Sequence, residues 1–232
     1  MYAISGKEFL LWENRQLAKG GEKQSLLLLL DTADVISHAE HSLLRVNPEL
    51  IFNLKIKLSY IEAIWDEHLL NSTPIPYLTG FTFWRDLKLK ISKTVLIPRP
   101  ETEIIVDIVT KIFQNKKKIL FAELGTGSGA ISISLALKNP LWEGVATDIE
   151  KDVLELASKN FNNVCNQTNL SFCCGDWLHP LKNFKEKFDL ILSNPPYIPE
   201  EIYNKLSKEV KNHEPKIALS GGKDGLDHIR KI

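Results

Sequence analysis

The chain has 232 residues and is 44% hydrophobic, enough for one large packed domain or two smaller ones. Lys plus Arg equal Asp plus Glu at 29 each, so no overall charge draws the chain to nucleic acid or to an anionic membrane surface. The three cysteines, Cys165, Cys173 and Cys174, make no disulfide framework, and their spacing lacks the paired pattern of a structural zinc site, so no metal is expected.

In chain order, the N-terminus has no signal-peptide layout, and the longest apolar run, Leu26 to Leu30, is too short to cross a bilayer. The expectation is a cytoplasmic protein with reduced thiols. From Lys7 to about Leu70 the apolar spacing is helical. Gly20-Gly21 separates two segments, Ser37 with Glu40 makes a capping box, and Asn47-Pro48 breaks the chain. Ile56, Tyr60, Ile61, Ile64, Trp65 and Leu69 form a stripe expected to face a bundle core. Residues 1–72 thus read as a small helical domain without a chemical constellation, suited to gripping a partner. Residues 73–97 read as a linker and β-hairpin, because Phe81, Phe83, Leu87, Leu89, Ile91, Val95 and Ile97 alternate with mostly polar positions.

From Lys118 onward strands and helices alternate, with strands at 119–124, 144–148, 170–174 and 188–192 and helices at 130–137 and 153–160. That order predicts an α/β fold, a Rossmann-like parallel sheet with helices on its faces, over 98–232. Glu123-Leu124-Gly125-Thr126-Gly127-Ser128-Gly129 lies between a strand and a helix, where glycines let backbone amides approach a ligand. Asp148 ends the second strand, where a carboxylate can accept both ribose hydroxyls of a nucleoside. Asp176-Trp177 closes the third, and an acid beside an aromatic can bind and cover an adenine ring. A nicotinamide cofactor and S-adenosyl-L-methionine both fit these features.

The fourth strand ends in Asn194-Pro195-Pro196-Tyr197. It is expected beside the first strand, facing the crevice of the glycine loop. Asn194 offers an acceptor oxygen, Pro195 a carbonyl without a competing N–H, and the two prolines a stiff loop. Tyr197 adds a flat face and a hydroxyl. Such a site suits a planar NH2 group, with the Asn194 Oδ1 and the Pro195 carbonyl accepting its two hydrogens while the nitrogen faces an electrophile such as a methyl sulfonium.

Asn194 to Tyr197 together with Glu123 to Gly129 resemble the amino-group branch of class I S-adenosylmethionine-dependent methyltransferases. Pro76-Tyr77-Leu78-Thr79-Gly80, Leu96 to Glu103, and Glu214 to Leu226 are similar to the HemK/PrmC group, the release factor glutamine N5-methyltransferases. The resemblance covers about Pro76 to Ile232. It implies methyl transfer from S-adenosyl-L-methionine to the glutamine of the Gly-Gly-Gln motif of peptide chain release factors, with the helical domain helping to hold the release factor. It implies cofactor contacts from Glu123, Gly125, Thr126, Gly127, Ser128, Gly129, Asp148, Asp176, Trp177 and Asn194, and a glutamine seat made by Asn194, Pro195, Pro196 and Tyr197. Glu123 stands where the family usually has Asp, and Thr102 is a further candidate for the pocket wall. The family usually has seven strands where four are found here, so the sequence reads as a C-terminally truncated form whose fourth strand becomes an exposed edge. The competing readings are a glutamine methyltransferase of a ribosomal protein, a nucleic-acid amino-group methyltransferase, a nicotinamide-dependent oxidoreductase, and a non-catalytic fragment.

Overall fold

The computed structural model describes residues 2–184 and 187–232, and the chain forms two compact units, Met1–Phe81 and Thr82–Ile232. The 73–97 segment is thereby divided between them.

The first unit holds α1 (Gly6–Ala18), α2 (Lys23–Thr32), α3 (His38–Val46), α4 (Leu58–Asn71) and α5 (Ile75–Thr79). The Ser37–Glu40 capping box is formed, and a second one, Ser5 with Glu8, starts α1. Phe9, Trp12, Leu26, Leu29, Leu30, Ile61 and Trp65 fill the core. Ile61, Ile64, Trp65 and Leu69 of the expected stripe face the core from α4, whereas Tyr60 is exposed and Ile56 packs against the core from the bend before the helix. Two features differ from the expectation of helices alone. Strands β1 (Tyr2–Ser5) and β2 (Ile51–Leu54) pair antiparallel, Tyr2 opposite Leu54 and Ser5 opposite Ile51. Four residues each, far apart in sequence and without clean alternation, they leave no periodic signal. The Pro74-Ile75-Pro76 stretch is also no open linker. Ile75 and Pro76 are buried, and Pro76 sits in the first turn of α5, where its missing N–H costs nothing; Tyr77 is therefore helical.

A hairpin of β3 (Phe81–Trp84) and β4 (Leu87–Lys90), shorter than the alternation suggests, opens the second unit from Thr82 onward. Ile91, Val95 and Ile97 lie beyond it, and Ile91 and Val95 are buried without being strand residues. Trp84, Leu87 and Leu89 pack into the same core as Phe121, Ile133, Leu135, Trp142, Ala146 and Phe161. Then follow α6 (Glu103–Ile112), β5 (Leu120–Leu124), α7 (Ala130–Lys138), β6 (Glu143–Asp148), α8 (Lys151–Val164), β7 (Leu170–Cys174), β8 (Leu190–Ser193), α9 (Glu200–Tyr203) and α10 (Lys208–His213). The sheet is parallel in the order β7-β6-β5-β8. Strand β8 pairs with β5 on one side only among the described residues, and its Ile191 is exposed.

This order makes the crevice. From β5 the chain crosses to β6 and β7 on one side, then returns to β8 on the other, so the carboxyl ends of β5 and β8 flank a topological switch point. Leu124 is in register with Ser193, so Gly125 and Asn194 leave the sheet side by side.

Candidate active site

The glycine loop is held from beneath by a buried carboxylate. Glu123 Oε2 accepts from Thr126 Oγ1 at 2.6 Å and from the Ser132 N–H at 3.1 Å. Burial outweighs these hydrogen bonds and pushes the Glu123 carboxyl up to about 7. The Thr126 N–H donates to the Thr147 carbonyl at 2.9 Å, which ties the loop to β6. The Gly127 N–H donates to Asp148 Oδ2 at 3.0 Å, and the Glu150 N–H to Asp148 Oδ1 at 3.2 Å. Each Asp148 oxygen keeps a further lone pair for a ligand hydroxyl. Burial holds the Asp148 carboxyl above the ordinary aspartate range.

Above this loop lies a cavity of about 280 Å³. Gly125, Thr126, Gly127 and Ser128 line it, with Glu123, Asp148, Asp176, Trp177, Asn194, Pro195 and Pro196. Thr102 lines it as well. A Cβ on Gly127, whose φ is +56°, would meet no atom within 4 Å, so the loop presents bare backbone to open space. The Trp177 ring lies over Gly125 and beside His228, with ring centroids 5.5 Å apart. Backbone donors, a buried carboxylate, an indole face and the apolar Ile131 and Val153 suit a nucleoside bearing a charged tail.

Two expected site residues stand apart from the wall. Gly129 lies behind it, where a Cβ would come within 2.8 Å of Ile133 Cδ1 and 3.3 Å of Ala157 Cβ. It lets helix α7 start close against α8. Tyr197 is exposed and does not line the cavity; it follows Pro196 out toward solvent. The Asn194 carboxamide has no hydrogen-bond partner among the described residues, although it lines the cavity.

Several contributors were not singled out in the sequence. Arg99 Nη2 donates to both carboxylate oxygens of buried Glu214 at 2.7 Å, joining the Pro-Arg-Pro-Glu-Thr-Glu loop to the Glu-Pro stretch. Ile198 exchanges backbone hydrogen bonds with Leu219 and Gly221, bracing the chain just beyond Tyr197. His228 closes part of the wall. Arg99 and Glu214 fell within motifs already marked, but their pairing over more than a hundred residues has no local signature.

Residues 101–214 match the methyltransferase small domain family. The chain is 41% identical over 231 residues to a release factor glutamine methyltransferase of Prochlorococcus marinus, covering 99% of this chain and 79% of that protein. The chain belongs to the release factor glutamine methyltransferase family. The Bacillus subtilis member is 34% identical over 233 residues, 97% of this chain and 77% of its own length. A Bacillus cereus member is 43% identical over 162 residues, covering 68% of this chain and 56% of that protein. Among solved structures, the hMettl16 catalytic domain in complex with MAT2A 3′UTR hairpin 6 aligns with a TM-score of 0.50 at 17% identity, over 79% of this chain and 64% of that one. That likeness is one of fold, the class I S-adenosylmethionine-dependent methyltransferase fold, and the family's methyltransferase domain is present in the second unit.

Proposed function

We propose that this chain transfers a methyl group from S-adenosyl-L-methionine to the side-chain amide nitrogen, N5, of the glutamine in the Gly-Gly-Gln motif of peptide chain release factors. The observation that carries the reading is the free Asn194 carboxamide, which shares one cavity with the glycine loop.

The residues divide the work. Asp148 holds the ribose hydroxyls, and Asp176 with Trp177 flanks the adenine. Gly125 to Ser128 pack backbone against the ligand, and Gly129 keeps that loop close to α8. S-adenosylmethionine supplies an electrophilic methyl group on a positively charged sulfur. Asn194 Oδ1 and the Pro195 carbonyl accept the two amide hydrogens of the glutamine, which orients its nitrogen toward the crevice. An amide nitrogen is a weak nucleophile, so fixing its direction is the main help the protein gives. Pro195 and Pro196 stiffen the loop that carries both acceptors. Tyr197, standing at the rim, is the stacking surface for the incoming segment.

The helical unit is assigned to holding the release factor. No helix among the described residues is long and apolar enough to cross a membrane. A cytoplasmic location and no direct nucleic-acid partner are part of this proposal. The test is incubation with labelled S-adenosylmethionine and intact release factor, followed by peptide mass analysis. A single methyl group on the glutamine of Gly-Gly-Gln is the expected result. Label on a ribosomal protein or on nucleic acid instead would overturn the substrate assignment.

A further inference from the structure

Asn160 lies on α8, outside the cavity wall, and is 1% exposed. Its carboxamide spends both amide hydrogens and its oxygen. Oδ1 accepts from the Lys90 N–H at 2.7 Å, and Nδ2 donates to the Lys90 carbonyl at 3.1 Å. The side chain therefore pairs with the end of β4 much as another strand's peptide group would. The second amide hydrogen reaches the Ser128 carbonyl at 2.9 Å, in the middle of the glycine loop.

That last bond has a consequence for the ligand. The peptide joining Ser128 to Gly129 is clamped at both ends: its carbonyl accepts from Asn160, and its N–H donates to the Thr126 carbonyl at 2.9 Å. The N–H two residues earlier, on Gly127, is held by Asp148. Between these two fixed peptides, the Ser128 N–H has no partner among the described residues, and Ser128 lines the cavity. Its direction is set by its neighbours, since a peptide plane between two fixed planes has little torsional freedom.

We infer that Asn160 is a positioning residue for cofactor binding: by bridging the last residue of β4 to the Ser128 carbonyl, it aims the glycine-loop backbone at the ligand. The β3–β4 hairpin thereby acts on the cofactor site through one buried carboxamide. This inference rests on the proposed S-adenosylmethionine reading of the cavity.

Asn160→Asp tests it with almost no change in shape. One oxygen can still accept from the Lys90 N–H, but the other faces the two carbonyls that the amide had satisfied, and the unpaired donor role is lost. Calorimetry with S-adenosylhomocysteine on the full chain should show affinity falling about tenfold, on the order of one hydrogen bond's worth. With release factor as substrate, KM for S-adenosylmethionine should rise by a similar factor, with kcat at saturating cofactor and KM for release factor unchanged. Amide exchange at Gly129 should quicken. Asn160→Leu, which removes both polar roles without placing an anion there, should show the same split between cofactor and protein substrate. Calorimetric stoichiometry near one confirms that the measured sample is folded. If both folded variants bind S-adenosylhomocysteine as tightly as the unsubstituted chain, the inference is overturned while the function stands. If the unsubstituted chain fails to bind S-adenosylhomocysteine, the cofactor reading falls and takes this inference with it.

Discussion

Two loops leave the sheet side by side, 125–129 after β5 and 194–197 after β8, and different physics holds each in place. The glycine loop is fixed by hydrogen bonds with buried and half-buried groups: the Glu123 and Asp148 carboxylates and the Thr147 carbonyl accept from it, and the Asn160 amide donates to it. The Asn-Pro-Pro-Tyr loop has no such scaffold at Asn194. Its order comes from two pyrrolidine rings and from the backbone brace that Ile198 makes with Leu219 and Gly221. The difference follows from what each loop offers. A loop that binds with backbone can spend its side chains on its own fold. A loop that binds with a carboxamide must keep that group unspent, so it has to be stiffened covalently instead.

The largest expected effect separates the two loops by function. Asn194→Ala should lower methyl transfer by about 100- to 1,000-fold, the range seen when one preorganised polar contact is removed from a reacting centre. Affinity for S-adenosylhomocysteine should stay within roughly tenfold. Labelled-methyl incorporation beside calorimetry reads both, and unchanged turnover would contradict the role given to Asn194.

The next effect concerns the buried carboxylate under the glycine loop. Glu123 is raised in the folded chain to about 7 from an ordinary value of 4.5. Its contribution to stability is therefore complete below about pH 4.5 and is lost as pH rises toward 7, a change of roughly 3 kcal/mol at most. Asp148, also raised, works in the same direction. Glu123→Gln keeps an oxygen for Thr126 and Ser132 and removes the titration. Denaturant midpoints measured across pH 4.5 to 7 should fall with rising pH in the unsubstituted chain and flatten in the variant. A slope identical in the two proteins would show that Glu123 is not its source.

Gly129→Ala should cost about 1–3 kcal/mol in unfolding free energy, because φ there is +84° and the new methyl would press on Ile133 and Ala157. Urea unfolding measures it, and a neutral result would mean that the loop shifts without penalty. Pro196→Ala should be milder, about 0.4–1 kcal/mol through the freedom gained by the unfolded chain. Its clearer signature is kinetic: kcat falls while cofactor affinity holds. If the Pro196 variant instead loses cofactor affinity and keeps kcat, the division between a hydrogen-bonded loop and a proline-stiffened one fails.

Much of the second unit was legible because parallel-strand proteins write their order into the chain. The buried strand 120–124 and the half-exposed edge strand 170–174 are short apolar runs, and Asn139-Pro140 and the glycine loop punctuate them. Gly125 to Ser128, Asp148, Asp176, Trp177 and Asn194 are recognisable in the sequence because each follows or ends a recognisable strand. The fold places all of them on one cavity. What escaped has no local period. β1 and β2 are four residues each and find one another across α1 to α3. The hairpin stops at Lys90 although the alternation runs on to Ile97, because burial at Ile91 and Val95 is met by packing rather than by strand pairing.

By itself the sequence determined the α/β order, the family and which residue types stand in the two loops, since these depend on residue type and spacing along one stretch of chain. Only the tertiary structure decided which groups spend their hydrogen bonds and which keep them free. Asn160 and Asn194 are the same residue type, yet one is satisfied three times and the other opens into the cavity. That outcome depends on partners dozens of residues away, brought to 2.7–3.1 Å by packing, and no local pattern encodes such a meeting.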